Sequence, residues 1–124
     1  MSERPIAIII EDDEDSSFIF AEAVRTAGFE AEIVRDGRDA VERLQRVIPD
    51  MIILDLHLPH VAGTDILAKI RQTEALQKVK VVVTTADARL AEEADAQADF
   101  VLIKPISFTM LRDLAFRLSG KGTT

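Results

Sequence analysis

The sequence predicts an α/β domain: a single five-stranded parallel sheet, doubly wound by helices, built as five βα units in succession. Three observations carry this. Five short apolar runs rich in β-branched residues recur along the chain, and they are mostly apolar on both faces, as buried parallel strands read. Between them lie stretches whose apolar residues repeat with helical period. The two types alternate from end to end, which makes the strands parallel and puts helices on both faces of the sheet.

The elements follow in order. The first strand is Ile6–Ile10, and Ile19, Phe20, Ala23, Val24 and Ala27 then give a helical face that Gly28 terminates. A second strand covers Ala31–Val34. Asp36-Gly37 turns the chain into a helix whose face is Ala40, Val41, Leu44 and Ile48. The third strand is Met51–Leu54, followed by a shorter face of Ile66, Leu67 and Ile70. The fourth strand is Val79–Val83. Its helix, capped by Asp87, is the weakest element: between Asp87 and Asp99 the one large apolar residue is Leu90, with Ala91, Ala94 and Ala98 completing the face. Alanine favours helix but buries little area. The last strand is Phe100–Ile103. Ser107 then caps a helix with Phe108, Leu111, Leu114, Ala115 and Leu118 on one side, and Ser119–Thr124 reads as a loose polar tail.

Composition narrows the function. The 124 residues make one domain, 1–124, and 48 % hydrophobic content supplies a core. Lys and Arg number 15 against 22 Asp and Glu, a net charge of −7. That balance argues against nucleic acid and against anionic membrane as direct partners. With no Cys, disulfides, Cys-based zinc sites and thiol catalysis are excluded. No apolar run approaches the roughly 20 residues of a membrane span, and Met1–Pro5 does not open a secretory signal, so a cytoplasmic location is expected.

In an open parallel sheet the functional crevice lies beyond the carboxyl ends of the strands. There the sequence puts Glu11-Asp12-Asp13, Asp55, Thr84-Thr85 and Lys104-Pro105. Glu11, Asp12, Asp13, Thr85 or Lys104 alone is an ordinary helix cap, strand end or surface residue, and Asp55 alone is more suggestive, because a charge after the apolar run Met51–Leu54 must be solvated or paired; together they form a chemical set. Carboxylates forced together repel unless a cation joins them, and oxygen ligands suit Mg²⁺. A lysine beside them neutralises one acid or pairs with a phosphoryl oxygen, a threonine hydroxyl can donate to the same oxygens, and an aspartate so placed can act as a nucleophile that becomes phosphorylated.

These residues resemble the receiver domain of two-component response regulators over essentially the whole chain. The matching pieces are Ile8-Ile9-Ile10-Glu11-Asp12, Ile52-Ile53-Leu54-Asp55-Leu56-His57-Leu58-Pro59, Gly63, Val83-Thr84-Thr85-Ala86 and Lys104-Pro105. The resemblance implies a flavodoxin-like fold with strand order 2-1-3-4-5. It implies Asp55 as phosphoacceptor, Asp12 and Asp55 as Mg²⁺ ligands with Glu11 acting through water, and the His57 backbone carbonyl completing the metal shell. Thr85 is then the switch hydroxyl and Lys104 the phosphate-pairing lysine, with a cis Lys104-Pro105 peptide. The implied partners are a sensor histidine kinase or a phosphotransfer protein, a downstream protein, and in some receivers a second copy in a homodimer.

Two departures stand out. The position three residues before the lysine, often aromatic in the family, is Val101; strand alternation turns its neighbour Phe100 to the other face. The segment from Thr85 to Lys104 is about one helical turn shorter than is usual in the family. His57 and His60 lie three apart, but Pro59 breaks helical geometry between them and no third soft ligand is near; the His57 side chain, at the mouth of the site, is expected to tune phosphoryl lifetime. Alternatives are the N-terminal receiver of a longer regulator or hybrid kinase, a receiver fold used as an unphosphorylated scaffold, and an Asp-nucleophile phosphohydrolase. The last would want a second acid two residues after the nucleophile, where His57 stands.

Overall fold

All five strands predicted from the apolar runs form, and all are parallel. The structure, a computed structural model, describes residues 4–119. In chain order it contains β1 (Ile6–Ile10), α1 (Glu14–Thr26), β2 (Glu30–Val34), α2 (Gly37–Leu44), β3 (Met51–Asp55), α3 (Gly63–Gln72), a 3₁₀ turn at Glu74–Leu76, β4 (Lys80–Thr85), α4 (Ala88–Ala94), β5 (Phe100–Ile103) and α5 (Phe108–Leu118). The sheet order is β2-β1-β3-β4-β5. The expected tail over Ser119–Thr124 lies, beyond Ser119, outside the described residues.

Strand alternation splits the core in two. Ala7, Ile9, Ile53 and Val82 face α1 and α5, where Phe20, Ala23, Val24, Leu111 and Ala115 cover them. Ile8, Ile10, Ile52, Leu54, Val81 and Val83 face the other way, under Ala40 and Leu44 of α2, Ile66, Leu67 and Ile70 of α3, and Ala94 of α4. Burial of both faces makes the runs of the central strands β1, β3 and β4 almost wholly apolar, whereas the edge strands are more open: Glu32 interrupts β2, and Phe100 and Ile103 of β5 are exposed.

The helix starts follow the predicted chemistry. Asp36 Oδ1 accepts the Arg38 amide at 2.7 Å, Asp87 Oδ1 accepts the Arg89 amide at 2.8 Å, and Ser107 Oγ accepts the Met110 amide at 3.0 Å. Gly28, with φ of 104°, ends the turn after α1, and Lys104-Pro105 is cis. The fourth helix has only seven residues and buries only Ala91 and Ala94.

Three details differ from the periodicity. Ile19 stands at the exposed edge of α1, because the buried stripe runs through Ser17, Phe20, Ala21 and Val24, at the i, i+3, i+4, i+7 spacing. Ile48 is exposed because α2 stops at Leu44, a full turn short of it. β4 begins one residue later than its apolar run and continues through Thr84 and Thr85, which pair with Leu102 and Ile103 of β5.

The registers align the strand ends. Ile10 lies beside Leu54, Asp55 beside Thr84, and Thr85 beside Ile103. The residues that follow these positions therefore emerge together on one edge of the sheet.

Candidate functional site

That edge gathers four of the expected side chains. Glu11 leaves β1 with its amide still bonded to Val34 O at 3.1 Å, and its side chain is only 1 % exposed. Asp55, the last residue of β3, is 2 % exposed. Lys104, just past β5, reaches back to both: its Nζ donates to Glu11 Oε1 at 2.9 Å and to Asp55 Oδ2 at 3.3 Å. The other oxygen, Asp55 Oδ1, accepts the backbone N–H of His57 at 3.0 Å. Asp12 is exposed, yet a carboxylate oxygen of each of Glu11, Asp12 and Asp55 lies within 4.8 Å of the others.

The electrostatics follow from this crowding. Burial pushes Glu11 from 4.5 up to about 7; the adjacent Asp55 carboxyl adds to the rise, and Lys104 only partly offsets it. Burial alone would lower the Lys104 ammonium, but hydrogen bonds and attraction from Glu11 and Asp55 outweigh it and hold the pKa above the ordinary lysine value. One ammonium therefore serves two buried acids, which leaves the cluster short of positive charge. The donor set, carboxylate oxygens alone with one member open to solvent, fits a hard divalent cation such as Mg²⁺.

The remaining expected residues divide. Asp13 belongs to the helix: its Oδ2 accepts the Ser16 amide at 2.8 Å and caps α1. Thr85 is fully buried; its carbonyl accepts the Lys104 amide at 2.8 Å, but its hydroxyl accepts the Asp87 amide at 3.0 Å and is turned to the start of α4. Thr84, on the opposite face, has a buried hydroxyl without a hydrogen-bond partner. Val101 pairs with Val83 and packs half-buried on the α4 side, while Phe100 lines a groove with Leu102, Met110 and Leu114 against α5. The neighbouring aromatic ring thus faces away from Thr85, as alternation requires. The His57 side chain is exposed. His60 pairs through Nδ1 with Asp36 rather than joining His57. The sequence carries no spacing signal for that pair, because its partners come from loops 24 residues apart.

Comparison with known proteins follows the same line. Residues 7–116 match the family model of the response regulator receiver domain. The probable methanogenesis regulatory protein FilR2 of Methanothrix harundinacea is 33 % identical over 118 residues, 86 % of this chain and 76 % of that protein. The phosphate regulon transcriptional regulatory protein PhoB of Rhizobium meliloti is 30 % identical over 106 residues, 83 % of this chain; the match spans about half of that longer protein, 47 %. Among solved structures, the receiver domain of the sensor histidine kinase PA1611 of Pseudomonas aeruginosa superposes with a TM-score of 0.83 at 25 % identity, covering 95 % of this chain and 99 % of that one. That structure holds a magnesium ion coordinated in its active-site cleft. Fold, edge chemistry and sequence relatives agree: the chain belongs to the response regulator receiver domain family.

Proposed function

We propose that this protein is a phosphorylation-controlled switch that takes a phosphoryl group on Asp55. The observation that supports this most is a carboxylate almost wholly removed from solvent, held at one oxygen by the His57 amide and met at the other by a lysine 49 residues away. Burying a charge costs several kcal/mol unless it is partnered, so such a site persists when function requires it.

The donor is a phosphohistidine of a sensor histidine kinase or of a phosphotransfer protein. An Asp55 oxygen attacks phosphorus; the new P–O bond forms as the P–N bond breaks, and the electron pair stays with the imidazole, which takes up a proton. Mg²⁺ held by Asp12, Asp55 and the His57 carbonyl, with Glu11 acting through water, would neutralise charge on the transferring oxygens. Lys104 then exchanges part of its contact with the carboxylates for a phosphoryl oxygen, and the Thr85 hydroxyl leaves the Asp87 amide to donate to another. Phosphorylation shifts a pre-existing equilibrium between two conformations. The protein transfers and releases its own phosphoryl group and is not an enzyme acting on an external substrate.

The output is contact with another protein, a homodimer included, or onward relay of the phosphoryl group, in the cytoplasm. The net charge of −7 favours protein partners over nucleic acid. The whole of 1–124 acts as one receiver, whether alone or as part of a longer regulator. A second reading, a receiver fold used as a scaffold, draws on Val101, which cannot serve as an aromatic rotamer switch. Incubation with acetyl phosphate or phosphoramidate, with and without Mg²⁺, separates the two by intact mass. One Mg²⁺-dependent phosphoryl adduct, absent in Asp55→Asn, is expected. No adduct from either donor on folded protein would favour the scaffold.

A further inference from the structure

The loop 56–62 joins Asp55 to α3 and carries the His57 N–H that holds Asp55 Oδ1. Where this loop sits therefore sets where the carboxylate points. Its far end is fixed by close packing: a Cβ on Gly63 would fall 2.5 Å from Leu56 Cα and 2.6 Å from the Asp55 carbonyl oxygen, so α3 begins directly against the Asp55 peptide. Its middle turns sharply. The Val61 N–H donates to Pro59 O at 2.9 Å across a single residue, His60, whose φ is 74°. This is the rare, strained form of γ-turn, in a region where a residue bearing a Cβ is uncommon.

Such a conformation persists only where its surroundings hold it. Here the neighbouring β2–α2 turn does so. His60 Nδ1 bonds Asp36 Oδ2, and the Gly37 N–H approaches Pro59 O at 3.4 Å. A Cβ on Gly37 would come within 2.9 Å of both Val61 Cβ and Val61 O. Asp36 uses its other oxygen, Oδ1, to accept the Arg38 amide at 2.7 Å and cap α2. One carboxylate thus fastens the start of α2 and the apex of the loop that leaves the phosphoacceptor.

We propose that His60 is a positioning residue for phosphoryl transfer, and that its bond to Asp36 holds the loop in the conformation in which the His57 peptide presents its N–H to Asp55. The inference rests on the reading of Asp55 as phosphoacceptor. His60 touches no reacting atom; it acts through three residues of backbone. The competing account is an ordinary surface pair, since the His60 side chain is 49 % exposed. A surface pair of that kind would leave the acidic site unchanged when removed.

A double-mutant cycle distinguishes the two: His60→Gly, Asp36→Asn and the double variant, with wild type alongside. His60→Gly keeps the left-handed backbone accessible while removing the whole side chain. The readouts are the Mg²⁺ dissociation constant and the acetyl phosphate rate constant at saturating Mg²⁺, both taken at a temperature where thermal melts show every variant folded. Each single variant is expected to weaken Mg²⁺ binding and slow phosphorylation by roughly threefold to tenfold, and the double variant to be no worse than the weaker single. Values within twofold of wild type, or losses that multiply in the double variant, would overturn the proposal. If wild type takes no phosphoryl group, the reading of Asp55 fails and with it the role in transfer; the Mg²⁺ cycle then decides whether the pair positions the loop.

Discussion

Glu11→Gln tests the electrostatics of the site in the absence of metal. Burial carries the Glu11 carboxyl from 4.5 to about 7, so between these values the folded protein keeps a proton that the unfolded chain has released. Stability from this group is full below pH 4.5 and is lost as pH rises through the window, by about 3 kcal/mol at most. For a chain of this length that corresponds to a fall in melting temperature of roughly 10 °C. The carboxyls with lowered values, Asp13, Asp36 and Asp87, act with the opposite sign, but their window lies below the ordinary 3.8 and does not overlap. The assay is thermal melting by far-ultraviolet circular dichroism from pH 5 to 8 in EDTA, since the chain has no Trp or Tyr to report by fluorescence. Wild type should lose stability across this range, Glu11→Gln should lose much less, and Mg²⁺ should flatten the wild-type curve by displacing the proton. Identical slopes for wild type and Glu11→Gln would refute the reasoning.

Two further substitutions test the packing around the site. Gly63→Ala forces a methyl against the Leu56 and Asp55 backbone and should cost about 3 kcal/mol in urea unfolding, with slower phosphorylation of whatever folds; a loss below about 0.5 kcal/mol would show that α3 can shift freely. Thr84→Val replaces a buried hydroxyl that has no partner with a methyl of similar size and should stabilise the protein by about 1 kcal/mol; destabilisation would mean that the hydroxyl is satisfied.

Much of this architecture was legible because its signals are local. Runs such as Ile6–Ile10 and Met51–Leu54 are apolar on both faces only because two helical layers cover the sheet, and Asp87 and Ser107 cap the helices they precede. The acidic cluster was legible for a related reason: parallel strands carry their carboxyl ends to one edge, so Glu11, Asp12, Asp55 and Lys104 meet however far apart they lie in sequence. Where periodicity misled, tertiary geometry decided. Ile48 fits the phase of α2, but the helix ends before reaching it, and Ile19 lies at the margin of the stripe that Ser17, Phe20, Ala21 and Val24 form. The His60–Asp36 bond has no sequence signature because it depends on where one loop falls against another, the unpartnered Thr84 because it depends on what packs over β4, and the Thr85 hydroxyl because a local bond to the Asp87 amide takes it.

The most direct test of the account is to locate the phosphoryl group. After reaction with acetyl phosphate and Mg²⁺, borohydride reduction converts an acyl phosphate on aspartate to homoserine, which peptide mass mapping then places. The account predicts homoserine at position 55 alone, and none when Mg²⁺ is withheld. Label at Asp12 or Asp13 instead, or none on folded protein, would contradict it.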